Sequence, residues 1–180
     1  MRYKIITFIS LLSLLTNIYA QKPELKGFYK FDFGISYAKA KDIINEVGRI
    51  RNDDFNSDEF LTWNTSSFAN HPLFALSQGI TLKFYNSQFY SSIVPFSGAF
   101  NAFDEIKTEI TSKYFHCDIS QPNYSKWIFS NGDYIELQYS TSGEDAMTKN
   151  VNSQVTMIYV NKSISDIEKS DKTKKNMKYF

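Results

Sequence analysis

Twice along this chain a stretch with helical periodicity is followed by three stretches with strand periodicity, and that order constrains the fold more than any single motif does. In the first unit Tyr37, Ala40, Ile44 and Val47 recur at steps of three and four, Ser36 stands at a capping position, and Gly48 stands where such a helix ends. The segments "FLTWNTSSF", "ITLKFYN" and "SQFYSSIVPF" come next. In the second unit Asn101 takes the capping position, Asp104 and Glu105 lie toward the positive end, and Phe103, Ile106, Ile110 and Tyr114 form the stripe. "SKWIFSN", "DYIELQY" and "QVTMIYVN" follow it. Trp63 answers Trp127, residues 80–85 answer 134–139, and residues 87–96 answer 153–160. A one-sided helix must lie on something, and alternating strands supply the surface. The expected fold class is therefore α+β: an antiparallel sheet with two helices packed on one face, and a duplicated helix-plus-three-strand unit spanning 34–96 and 101–160.

The stretch "SKWIFSNGDYIELQY" shows the strand pattern most clearly. Asn131-Gly132 predicts a two-residue hairpin turn, because Asn and Gly accept positive φ at low cost. On its flanks Trp127 and Phe129 fall on one side with Lys126, Ile128 and Ser130 on the other; beyond the turn Ile135, Leu137 and Tyr139 oppose Tyr134, Glu136 and Gln138. One face is apolar and the other mixed, as expected of a sheet covered on a single side. The 25 Phe and Tyr after residue 20, against six Leu there, agree with strands as the main core suppliers. Residues 140–153 are polar around Gly143 and read as a long mobile loop; residues 163–180 are lysine-rich without a sustained apolar face and read as a flexible basic tail, disordered or weakly helical.

Residues 1–20 read as a secretory signal peptide: Arg2 and Lys4 precede an apolar run and a polar end, "NIYA", with cleavage expected after Ala20. That run is too short for a permanent anchor, which takes about 20 apolar residues. The expectation is an exported, periplasmic or secreted chain with a single α+β domain at 21–162 and no integral membrane segment after cleavage. Losing two basic residues turns the formal charge of +1 into −1, which gives no electrostatic basis for a nucleic-acid partner. Cys117 is the lone cysteine, so packing and not an intrachain disulfide must hold the domain.

Candidate chemistry is sparse. No G-x-S-x-G, H-E-x-x-H, S-x-x-K or glycine-rich phosphate loop occurs. His116-Cys117-Asp118 reads as a strand entering the sheet, in which neighbouring side chains point to opposite faces, so Cys117 serves as a small hydrophobe and not a thiolate nucleophile. His71 precedes a proline in a turn composition. Asp54, Asn56 and Asp58 alternate like the opening ligands of a calcium loop, but Glu59 replaces the turn glycine and Thr65 the closing glutamate. A looser calcium site there stands as an alternative to a domain without cofactors. Carboxylate hydrolysis would draw on Asp104, Asp133 and Glu136. The remaining candidates are aromatic: Tyr85, Phe89 and Tyr90 flank the turn of "FYNSQFY", and Tyr134 lies on the mixed face. Displayed on a sheet they would anchor a partner; otherwise they pack against the long loop or the tail.

"FDFGISYAKAKDIINEVG" resembles the opening helix of small exported bacterial domains of the beta-lactamase-inhibitor-like and outer-membrane-assembly-lipoprotein-like group, specifically at Gly34, Ile35, Ser36 and Ala40. The resemblance covers most of the chain after residue 20 in its order of elements. It implies helix-plus-antiparallel-sheet units, protein binding on a sheet face and no catalysis, and it supplies no functional residue. The function expected is a non-catalytic binding module that recognises a protein or an envelope component through its sheet face or hairpin tips. A carboxylate-dependent hydrolase and a calcium-dependent binding domain are the alternatives.

Overall fold

The structure, a computed structural model, describes residues 22–47, 49–50, 59–64, 77, 79–97, 100–142 and 152–177. The signal segment, Gly48, the acidic residues Asp54, Asn56 and Asp58, and His71 lie outside the described residues.

The described elements run β1 (Gly27–Phe28), β2 (Phe31–Asp32), α1 (Tyr37–Val47), β3 (Arg49–Ile50), β4 (Phe60–Asn64), β5 (Ile80–Tyr85), β6 (Gln88–Ser97), α2 (Phe100–Lys113), β7 (Ile119–Gln121), β8 (Tyr124–Ile128), β9 (Tyr134–Ser142), β10 (Asn152–Val160) and α3 (Lys162–Met177). Strands β1 and β2 form a small hairpin, and the other eight form one antiparallel sheet in the order β3-β4-β5-β6-β10-β9-β8-β7. The fold is α+β, as expected. Each unit is a helix followed by four strands, not three, because β3 and β7 are additional short edge strands. The two units meet through their last strands, β6 and β10. The pairing is similar in the two units but offset by one position from the correspondence read in the sequence: Trp63 pairs with Ile80 in the first, whereas Trp127 pairs with Ile135, not Tyr134, in the second.

Strand alternation divides the sheet into two faces. One face carries Leu61, Ile80, Leu82, Val94, Phe96, Val155, Met157, Ile135, Leu137 and Trp127, each at most 1% exposed. Onto it pack Ala40 and Ile44 of α1 and Phe103, Ile106 and Ile110 of α2. Ser36 caps α1 through Oγ, which accepts from the Lys39 amide at 3.2 Å. Asn101 does not cap α2, since the helix already begins at Phe100; Tyr114 lies beyond its last turn and meets Phe129 edge-on at 5.1 Å. The N-terminal hairpin closes the end of this core with Phe28 and Phe31.

Three further expectations are corrected. The Asn131-Gly132 turn is wider than two residues: β8 stops at Ile128, Phe129 N donates to Asp133 O at 2.9 Å and Phe129 O accepts from Gly132 N at 3.0 Å, in a loop in which only Gly132, at φ 82°, is left-handed. Asn131 is instead used as a tether, donating through Nδ2 to Leu25 O and Asp133 Oδ2, both at 3.0 Å. The two-residue turn with positive φ at both positions occurs at Asn86 (47°) and Ser87 (60°), between β5 and β6. Next, residues 140–142 and 152–153 belong to paired strands and not to a loop, because the β9–β10 ladder extends to Asn152↔Ser142. Last, the segment read as a flexible tail is the 16-residue helix α3.

Helix α3 forms without an apolar stripe because its first turn is well capped. Asn161 Oδ1 accepts from the Ile164 amide at 3.0 Å, and Asp133 Oδ1 accepts from the Lys162 amide at 2.8 Å. Ion pairs Lys162–Asp166 and Lys172–Glu168 follow at i,i+4 spacing. It lies on the side of the sheet opposite to α1 and α2: Tyr85, which alternates with buried Phe84, donates to Asp171 of α3 at 2.5 Å. No helix among the described residues is long and apolar enough to cross a membrane.

The two faces should respond differently to truncation. Leu137→Ala, on the sealed face, is expected to cost about 2–5 kcal/mol in urea denaturation, and Ile93→Ala, half-buried on the other face, less than about 1.5 kcal/mol.

Candidate binding face

The face opposite α1 and α2 is built by the residues that alternate with the core. Register aligns Ile93, Ile158, Glu136 and Lys126 in one row across β6, β10, β9 and β8; Pro95, Thr156, Gln138 and Tyr124 form the next. All eight are half-buried, whereas their chain neighbours Val94, Met157, Leu137 and Trp127 are fully buried. The row is apolar over β6 and β10 and becomes polar over β9 and β8.

The polar half is internally satisfied. Glu136 Oε1 accepts from Lys126 Nζ at 2.8 Å and from Tyr124 Oη at 2.9 Å, and Gln138 Nε2 donates to Oε2 at 3.3 Å. Lys126 Nζ also stands 3.5 Å from the centroid of the Tyr134 ring. The Lys126 and Glu136 side chains are 20% and 17% exposed, so water screens this pair only in part. Burial, then the hydrogen bond to Glu136, raises the Tyr124 phenol above its ordinary value; burial, then the Glu136 charge, raises that of Tyr134. Both hydroxyls therefore remain protonated through the neutral range.

The aromatic residues singled out from the sequence separate into three environments. Phe89 is fully buried, stacked on Phe33 at 5.4 Å and near Phe84 at 5.9 Å. A register shift between Lys83 and Phe84 places Phe89 opposite Phe84 and turns it into the core. Tyr90 is 6% exposed, and burial, with the Glu168 carboxylate beside it, raises its phenol. Tyr85 is half-buried and bonded to Asp171. In the structure Phe89 is turned into the core and α3 covers Tyr85 and Tyr90, the packing against the tail that the sequence left open. Of the four, only Tyr134 adjoins the rows just described, with its ring against Lys126 Nζ. The sequence marks Glu136 only as a candidate carboxylate and does not mark Tyr124, Lys126 or Gln138; the alternation of "SKWIFSNGDYIELQY" puts Lys126, Glu136 and Gln138 on its mixed face, but their convergence with Tyr124 depends on cross-strand register.

The carboxylates proposed for hydrolysis are not brought together. Asp104 belongs to α2 on the sealed side, and Glu136 to the opposite face. Asp133 is 3% exposed and accepts from the Asn131 and Asn161 side chains, each at 3.0 Å, and from the Lys162 amide. Burial raises its carboxyl, and these three donors offset part of that rise. It serves α3 and the hairpin. His116 and Cys117 sit in an irregular segment before β7, not in a strand; both line a shallow groove of about 630 Å³ with Asp104, Lys107 and Ser120. Cys117 packs against the core cluster as a small hydrophobe. Among the described residues no group of three or more His, Cys, Asp or Glu could hold a metal ion. No protein-family profile, curated protein or solved structure matches the chain.

The Tyr85–Asp171 contact has a definite titration signature. The hydrogen bond to Asp171 raises the Tyr85 phenol, and the same bond lowers the Asp171 carboxyl. Its contribution to the fold is accordingly present above the ordinary carboxylate range, is lost as pH falls through the depressed Asp171 value, and is lost again as pH rises through the raised Tyr85 value. In ¹³C NMR of labelled tyrosine, Tyr85 should titrate above 10, and Asp171→Asn should move that midpoint back toward 10.

Proposed function

We propose that this protein is an exported, non-catalytic binding module that recognises another protein, or a component of the cell envelope, through the sheet face carrying Ile93, Pro95, Ile158, Tyr124 and Tyr134. The observation that carries this reading is the make-up of that face. Half-buried aliphatic residues over β6 and β10 adjoin a Lys126–Glu136 pair whose charges and hydrogen bonds are met within the face itself. A partner docking there removes apolar surface from water without stranding a charge, the arrangement of an interface core with a polar rim. The resemblance of the first helix to inhibitor-like and assembly-lipoprotein-like domains implies the same mode of use, and the apolar N-terminal run supports export. The hydrolase alternative has no support in the geometry, since Asp104 and Glu136 lie on opposite sides of the sheet and Asp133 is engaged in capping.

The test is affinity capture from envelope extract with the domain beginning after Ala20. Ile158→Glu or Ile93→Glu should lower retention of the captured partner by about tenfold or more with the far-ultraviolet spectrum unchanged, because a carboxylate would be desolvated at the interface centre. Undiminished capture by both folded variants would contradict the assignment of this face.

A further inference from the structure

Helix α3 lies on the same side of the sheet as the proposed binding face, and it does so in an unusual way. The residues it turns inward are Ile164, Ser165, Glu168 and Asp171, while Ile167 is 53% exposed and Met177 64% exposed. A helix held by the hydrophobic effect would present its apolar residues to the sheet. This one presents a polar seam: Asp171 accepts from Tyr85 Oη at 2.5 Å, and Glu168 stands beside Tyr90. Ser165 is its only buried residue. The two ends are held differently. At the start, Asp133 accepts from the Asn161 side chain at 3.0 Å and from the Lys162 amide at 2.8 Å, Asn161 N donates to Tyr90 O at 2.7 Å, and Asn131 ties Asp133 in turn to Leu25. Toward the other end the seam is Glu168 and Asp171, and every residue from Lys172 to Met177 is exposed.

We infer that α3 is a hinged cover over one end of the binding face, fixed at Asp133 and latched at Tyr85, which lifts as a unit while the eight-stranded sheet remains intact. Lifted, it uncovers Tyr85, Tyr90, Ser91 and Val160, adjoining the row of Ile93 and Ile158. The cover would thereby govern how much of the face a partner reaches. This regulation rests on the reading of that face as the binding site, but the lifting itself needs no partner. Low apolar burial and a latch that solvent reaches, with the Asp171 side chain 42% exposed, are the features of a segment that opens well below the free energy of global unfolding.

Native-state hydrogen exchange on the full chain tests it. Amides of α3 beyond the first turn should exchange at least about a hundredfold faster than those of β6 and β10. Tyr85→Phe and Asp171→Asn should each raise α3 exchange by about tenfold and leave β6, β10 and α2 unchanged, since a hydrogen bond to a charged group is lost in each. Exchange of α3 at the rate of β10, or an equal rise in all elements in both variants, would overturn the hinged cover and leave the binding face to be judged by its own capture experiment.

Discussion

The pairing of β6 with β10 is the contact on which the rest of the molecule depends. Seven residue pairs, from Gln154↔Ser97 to Val160↔Ser91, join the two helix-plus-four-strand units into one sheet. The register also decides which side chains share a face. A slip of one residue would turn Val155, Met157 and Tyr159 away from Val94 and Phe96 and expose them. With the register as it stands, α1 and α2 cover one continuous apolar layer, and the alternate positions are left to form the second face.

That second face is divided by how each part is closed. Over β6, β10, β9 and β8, among the described residues, it is organised by side chains satisfying one another, with Glu136 as the shared acceptor for Tyr124, Lys126 and Gln138. Over β5 and the start of β6 it is closed by α3. Both parts rely on carboxylates meeting tyrosine hydroxyls, so the aromatic richness of the chain serves two purposes: rings fill the core, and phenols organise the opposite side. Asp133 links the two regions. It sits in the β8–β9 loop, next to Tyr134, and holds the first turn of α3 through the Lys162 amide.

How much of this the sequence disclosed follows from how local each signal is. The α1 cap at Ser36, the inward residues Ala40 and Ile44 of α1 and Phe103, Ile106 and Ile110 of α2, and the alternation through Trp127 and Leu137 are all set within a few residues of the chain, and all appear in the structure. Features set by distant contacts did not show. Asn131-Gly132 carries the composition of a tight turn, but Asn131 is drawn off to Leu25, 106 residues away. Phe89 resembles a displayed hairpin aromatic until the shift at Lys83/Phe84 turns it inward. Helix α3 has no apolar stripe because its inward side is matched to tyrosine hydroxyls; the legible signals were Asn161 as a cap and the Glu168–Lys172 spacing. The convergence on Glu136 requires knowing which residue of β8 lies across from it.

The central claim is that one side of the sheet is sealed by helices and the other presents aliphatic residues to solvent. Paramagnetic relaxation of methyl groups by a soluble, uncharged gadolinium chelate measures this directly. The account predicts strong relaxation of the Ile93 and Ile158 methyls and weak relaxation of those of Ile44, Ile135, Leu137 and Val155. Equal protection of both sets would mean that the second face is sealed as well, and would contradict the account.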